Sequence, residues 1–130
     1  MILDEQKYVD KAEAVMKEIA VMKDKKGYLI IKKITTSKIR NLLAMSADIY
    51  NEVVDSDEQL GEDVKARIEY MRVRFIYEAG RNPNDVKVFI DEAQILDAIK
   101  EIKGSKKRFI LFNHYMEALV AFHKFYGGKD

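Results

Sequence analysis

Three arginines recur at a constant spacing and together have the chemistry to bind a chain of phosphates. Arg67, Arg74 and Arg81 are seven residues apart. On an α-helix each lies only about 20° around from the last, so the three follow one edge over roughly 21 Å. Guanidinium suits phosphate because two of its donors meet two oxygens. The pattern indicates a nucleic-acid backbone site, and it is also compatible with ion pairs to Glu78 or to acids of the next helix.

A second basic group surrounds the predicted start of an upstream helix. Positions 23–40 hold seven Lys or Arg residues and a single acid, whereas positions 41–64 hold seven acids and no basic residue. Free backbone N–H groups and the helix dipole at such a start also favour an anion. The net charge of +1 therefore hides separate basic and acidic sectors, which suit either RNA or oppositely charged protein surfaces. The candidates here are Lys32, Lys33, Lys38 and Arg40.

Patterns for catalysis or metal binding are missing from the sequence. His114 and His123 are nine residues apart, on opposite sides of one helix, and are predicted to be packed residues that share no metal. The acidic run 55–58 fails as a calcium loop, because Leu60 and Ala66 stand where Gly and Glu are required. No glycine spacing fits a phosphate-binding loop. The sequence predicts no enzyme, no metal, no cofactor and no small-molecule substrate.

Composition predicts one soluble domain over residues 1–130. Hydrophobic residues make up 48% and charged residues 35%, a globular balance, and the length is enough to bury a core. Cysteine is absent, which favours a reducing cytoplasm. The N-terminus carries acids where a signal peptide needs bases, and no long apolar run follows. Secretion and membrane association are therefore not expected.

Apolar periodicity predicts an all-α fold, a compact five-helix bundle. The third helix carries two apolar stripes, which predicts that it lies between neighbours as the central helix: Val64, Ile68, Met71, Phe75 and Ala79 form one stripe, and Ala66, Tyr70, Val73 and Tyr77 the other. The aromatic residues on such stripes are predicted to be core rather than base-stacking platforms. The predicted helices are about 4–23, 35–55, 62–80, 84–103 and 105–126, with 24–34 a loop that packs its apolar side.

Three motifs, in this order, resemble those of a known family: TTSKIRNLL, RVRFIYEAGR and YMEALVAFHKFYGGKD. The matching segments are 34–53, 66–81, 89–102 and 115–130. The chain resembles the small-subunit family of the type III-A CRISPR (Csm) effector complex. The resemblance implies a non-catalytic, all-helical subunit of an RNA-guided complex. It would stack in several copies along the guide–target RNA duplex, contacting the guide or target backbone without sequence specificity, with other Csm subunits and copies of itself as partners.

Six of the eight candidate RNA contacts lie in segments that match the family. Lys38 and Arg40 stand in TTSKIR, while Lys32 and Lys33 lie in a stretch that matches no family pattern. The YGGKD end is predicted to serve packing or subunit contact. One alternative stays open, a protein-interaction scaffold with little RNA contact. A small enzyme would need metal- or nucleotide-dependent turnover, which is not expected. The remaining candidates, all in ARIEYMRVRFIYEAGR, are Arg67, Arg72, Arg74 and Arg81.

Overall fold

The structure, a computed structural model, describes residues 1–129 and contains helices joined by short connections. Within these residues there are no strands beyond two isolated bridges, so the predicted all-α class is confirmed. A 3-10 turn, Ile30–Lys32, buries Ile30 and Ile31, which confirms that this loop packs its apolar side. The α-helices are α1 (Tyr8–Val21), α2 (Thr36–Val54), α3 (Glu62–Arg81), α4 (Val86–Glu92), α5 (Ile95–Lys100) and α6 (Lys106–Phe125).

The predicted fourth helix is two short helices, so the five-helix count is wrong for the described residues. Gln94 adopts a left-handed conformation, with φ 56° and ψ 38°, and this interrupts the helical hydrogen-bond ladder between α4 and α5. The carbonyl of Ala93 accepts a hydrogen bond from the Tyr115 hydroxyl of α6 at 2.9 Å. Burial raises the pKa of that phenol. The break lets Phe89 and Ile95 both face the core.

Two of the helices, α2 and α6, begin at a hydroxyl cap. Thr35 accepts a hydrogen bond from the backbone N–H of Lys38 at the start of α2. Ser105 accepts one from the N–H of Arg108 at the start of α6. Each cap satisfies a donor that has no partner inside its helix, and it fixes where the helix begins.

The centre of the bundle is α6 rather than α3, so the predicted central position of the third helix is wrong. Helix α6 packs against both α1 and α2 and buries residues along most of its length. Helix α3 buries one stripe only, formed by Ile68, Met71, Phe75 and Ala79. Its second stripe faces outward, and because Tyr70 is 63% exposed and Tyr77 59%, the prediction that the stripe aromatics are core residues is wrong for these two. Periodicity detected the second stripe correctly, but no element within residues 1–129 covers it.

The C-terminal segment folds back onto the start of α2. The carbonyl of Lys129 accepts hydrogen bonds from the Thr36 backbone N–H at 2.7 Å and from its hydroxyl at 3.1 Å. The Gly128 N–H donates to the carbonyl of His123 at 2.8 Å. The packing role expected for the YGGKD motif is thus confirmed as far as Lys129. Asp130 lies outside the described residues.

Replacing Gly128 by alanine is expected to destabilise the protein by about 1–3 kcal/mol, because a side chain there overlaps a neighbour. A Cβ on Gly128 would lie 2.0 Å from Cε1 of His123. The imidazole has no room to retreat, since it is buried and its Nε2 lies 2.6 Å from the Ile34 carbonyl oxygen. Urea unfolding monitored by circular dichroism measures the change.

Gly80→Ala is the matched control for this substitution. Gly80 lies within α3, and nothing lies within 4 Å of an added Cβ. Alanine loses less backbone entropy than glycine when it becomes helical, so the free energy of unfolding of this variant is expected to rise by about 0.5–1 kcal/mol. A Gly128→Ala protein as stable as wild type would show that the C-terminal segment does not pack on His123.

Candidate nucleic-acid interface

Helices α2 and α3 run antiparallel and leave a groove between them. Lys38 near the start of α2 shares a cavity of about 350 Å³ with Arg81 at the end of α3. A second cavity of about 150 Å³ adjoins the first and has Met45 and Arg74 in common with it. We call the combined surface the α2–α3 groove. It is lined by Lys38, Asn41, Met45 and Asp48 of α2 and by Arg67, Tyr70, Arg74, Glu78 and Arg81 of α3.

Half of the predicted RNA contacts line the groove. The three arginines with seven-residue spacing lie along the α3 side, as the periodicity predicted, and Lys38 faces them from α2. Tyr70 and Asn41 also line the groove and were not among the predicted contacts. No basic or repeated motif marked these two positions, although Tyr70 belongs to the apolar stripe of α3 that the described residues leave exposed.

The other four predicted contacts lie outside the groove. Arg40 is exposed on α2, about 100° around the helix from Asn41. Arg72 lies on another side of α3, with a guanidinium nitrogen 3.7 Å from a Glu69 carboxylate oxygen. Lys32 donates from Nζ to the Gly127 carbonyl at 2.7 Å. Lys33 pairs with Asp24, and this hydrogen bond, followed by one from the Tyr28 N–H, lowers the pKa of that carboxyl.

The start of α2 offers fewer free donors to an anion than the sequence suggested. The N–H of Thr36 donates to the carbonyl of Lys129, and the N–H of Lys38 donates to the Thr35 side chain. Thr36 is itself buried. The expectation of exposed N–H groups is therefore wrong at these two positions, because the C-terminal segment and the cap already occupy them.

Ion pairs neutralise some of the groove's cations and leave others available. Lys38 lies 2.5 Å from a carboxylate oxygen of the buried Asp85, so its charge is committed to holding α2 against the α3–α4 connection. Arg67 pairs with Glu52, and Arg81 lies 3.6 Å from Glu78. Exposed pairs of this kind are worth about 0–1 kcal/mol, so an incoming phosphate competes with them readily.

Arg74 is the least committed cation of the groove. It is exposed, and within residues 1–129 it has no ion pair or hydrogen bond to a carboxylate. The side chain of Arg81 is 63% exposed despite its contact with Glu78. These two guanidinium groups, seven residues apart on the same edge, are therefore the cations of the groove that ion pairs within residues 1–129 hold least.

His123 is buried, as predicted, whereas His114 is half-buried. His114 contacts the rings of Tyr8 and Tyr50, with centroids 6.3 and 6.4 Å away. His123 is buried against the Ile34 carbonyl, and burial lowers the pKa of its imidazole. In the part of the chain that the structure describes, no group of three or more metal-ligating side chains comes together. Among the described helices, none combines the length and apolar character needed to cross a membrane.

The described residues thus define a small helical protein whose distinctive surface is a basic groove. A family model described as Csm2 type III-A matches residues 4–129. The chain is 44% identical over 129 residues to the CRISPR system Cms protein Csm2 of Streptococcus thermophilus, covering 99% of this chain and 98% of the relative.

Two further relatives of the same description agree with this match. Identity is 39% over 126 residues to the protein of Enterococcus italicus, covering 92% of this chain and 89% of the relative. It is 35% over 124 residues to that of Mycobacterium tuberculosis, covering 95% and 94%. The chain belongs to the Csm2 family, the small subunit of the type III-A CRISPR complex. The family expected from the motifs is confirmed.

Proposed function

We propose that this chain is a non-catalytic subunit that binds the backbone of guide or target RNA in the α2–α3 groove without reading its sequence. The observation that carries the proposal is the edge of Arg67, Arg74 and Arg81, which faces solvent beside the groove. Guanidinium groups on phosphates fix the position of a strand and carry no sequence information. In an RNA-guided complex, base pairing supplies the specificity instead.

Stacking of several copies follows from the same proposal. A single groove offers few phosphate contacts, so one copy binds weakly, and adjacent copies along one RNA raise the overall affinity through effective concentration. Other Csm subunits hold the copies in register, and the complex acts in the cytoplasm. No reaction is assigned to the chain, which serves as a structural and RNA-holding element.

An alternative function is a scaffold that bridges neighbouring subunits with little RNA contact. The observation that favours it is the acidic connection between α2 and α3, where Asp55, Asp57 and Glu58 are all exposed. An acidic region on one copy and a basic edge on the next would attract each other and fix their orientation. In that case the arginines contact carboxylates of a neighbour rather than phosphates.

Crosslinking in the assembled complex distinguishes the two functions, with ultraviolet light to form RNA adducts, a chemical reagent to form protein–protein links, and mass spectrometry to map the peptides. The RNA-binding proposal expects RNA adducts on peptides that cover the groove, from residues 38–48 and 67–81. Peptides of α1, which does not line the groove, serve as the internal control. If groove peptides form only protein–protein crosslinks, the scaffold function is supported and the RNA-binding proposal is wrong.

A further inference from the structure

Arginine and tyrosine alternate along the outward side of α3. The order is Arg67, Tyr70, Arg74, Tyr77 and Arg81, with steps of three, four, three and four residues. At about 100° per residue these five side chains fall within a band about 80° wide. Each ring therefore lies beside and between guanidinium groups on one continuous surface, which we call the Arg–Tyr face.

Both tyrosine residues of this face are largely exposed to solvent. Tyr70 is 63% exposed and Tyr77 is 59% exposed. Within residues 1–129 neither has a ring contact or a hydrogen bond, whereas Tyr8, Tyr50 and Tyr126 pack against other rings. Two large aromatic surfaces are thus left in water next to cations, which is the composition of a single-stranded nucleic-acid platform.

We infer that Tyr70 and Tyr77 stack unpaired bases of an RNA strand whose phosphates contact the neighbouring arginines. This inference rests on the proposed function and deepens it, because it specifies the state of the RNA that is bound. Stacking tolerates any base, since every base has an aromatic face, so it agrees with binding that ignores sequence. Bases already paired and stacked in a duplex present only their edges, so the Arg–Tyr face selects unpaired nucleotides.

The spacing of the rings fits separate bases rather than one continuous stack. Seven residues of helix separate Tyr70 and Tyr77, which is about 10.5 Å along the axis. Stacked nucleotides rise about 3.4 Å each, so this distance spans about three of them. Arg74 lies between the two rings, in position to hold the intervening backbone. Each tyrosine therefore receives a base turned out of the strand.

A protein partner is the competing occupant of this surface, and the distribution of charge favours RNA. The exposed aliphatic residues Val73 and Ile76 lie farther around α3 than the tyrosines, away from the arginine edge. An apolar protein contact would centre on those aliphatic side chains. The rings instead adjoin the cations, where a polyanion gains both phosphate contacts and stacking.

Fluorescence anisotropy with the full chain at low salt tests this inference. The probes are a single-stranded RNA, an abasic ribose–phosphate oligomer of equal length, and an RNA duplex. Tyr70→Ala/Tyr77→Ala is expected to weaken binding to single-stranded RNA by at least about tenfold. Binding to the abasic oligomer, which has no bases to stack, should change less than about twofold. Wild type should also bind the single strand more tightly than the duplex.

Two control variants make the outcome specific. Tyr70→Phe/Tyr77→Phe keeps both rings and should bind single-stranded RNA as wild type does. Val73→Ala/Ile76→Ala removes exposed aliphatic surface from the same helix and should also bind normally. Loss of RNA binding in the aliphatic variant, or normal binding in the double alanine variant, would overturn the stacking role.

Failure of the stacking role and failure of the proposed function are distinguishable. If wild type binds the abasic oligomer in a salt-sensitive manner and the tyrosine variant binds all three probes normally, the backbone-binding function stands and stacking is wrong. If, in addition, the tyrosine variant fails to join the other Csm subunits, the face is a protein contact. If wild type binds none of the probes, both proposals fall.

Discussion

Arg74→Glu/Arg81→Glu is expected to weaken binding to single-stranded RNA by about 10- to 100-fold at low salt. The substitution removes the two most available guanidinium groups of the α2–α3 groove and places carboxylates where phosphates would lie. The fold should remain intact, because Arg74 has no ion pair within residues 1–129 and Arg81 only the contact with Glu78. Anisotropy titrations measure the affinity, and thermal melting checks the fold.

The matched control is Lys7→Glu/Lys17→Glu, which changes the net charge by the same amount. Both lysines are exposed, at the start of and within α1, and neither lines the groove. The control is expected to lose less than about threefold in affinity, because only long-range attraction is affected. Equal losses in the two proteins would mean that net charge, and not the groove, governs binding.

Phe75→Ala is expected to destabilise the protein by about 3–5 kcal/mol, the largest stability effect that we predict. Phe75 is fully buried, and its ring lies against Phe112 of α6 at a centroid distance of 6.5 Å. This contact and the rest of the buried stripe hold α3 in place. Losing the ring leaves a cavity between α3 and α6 and weakens the wall of the groove. Urea unfolding measures the free energy of unfolding.

Tyr77→Ala, two residues further along the same helix, is expected to change stability by no more than about 0.5 kcal/mol. Its ring faces solvent, so truncation removes little packing. The pair of variants therefore tests whether α3 is covered on one side or on two. If both substitutions reduced stability by comparable amounts, α3 would be covered on both sides, as its two apolar stripes predicted. That result would contradict an exposed Arg–Tyr face.

Sequence reasoning located most helices because amphipathic periods and caps are local signals. The hydroxyl caps at Thr35 and Ser105 and the glycine-rich end of α6 are of this kind. The break at Gln94 was missed because a left-handed residue other than glycine has no strong local signature. The position of α3 was also missed. Periodicity reports which faces are apolar, and it does not report whether an element covers them.

The arginines of the candidate site could be predicted from the sequence, but the residues that surround them could not. The seven-residue spacing placed Arg67, Arg74 and Arg81 on one edge from helix geometry alone. The pairing of Lys38 with Asp85 is a contact between residues 47 apart, which no local pattern contains. The hydrogen bond between Thr36 at the start of α2 and Lys129 likewise joins residues far apart in the sequence. The family motifs indicated the type of complex to which the chain belongs. The groove became visible only in the structure, because it is formed by the packing of α2 against α3.

The decisive measurement is the salt dependence of RNA affinity for Arg74→Gln/Arg81→Gln beside wild type. Each phosphate contact on a single strand contributes about −0.7 to the slope of log affinity against log salt. Neutralising two arginines that touch phosphates should make the slope shallower by about 1.4. An unchanged slope, with affinity lost or kept, would show that these guanidinium groups do not hold the RNA backbone.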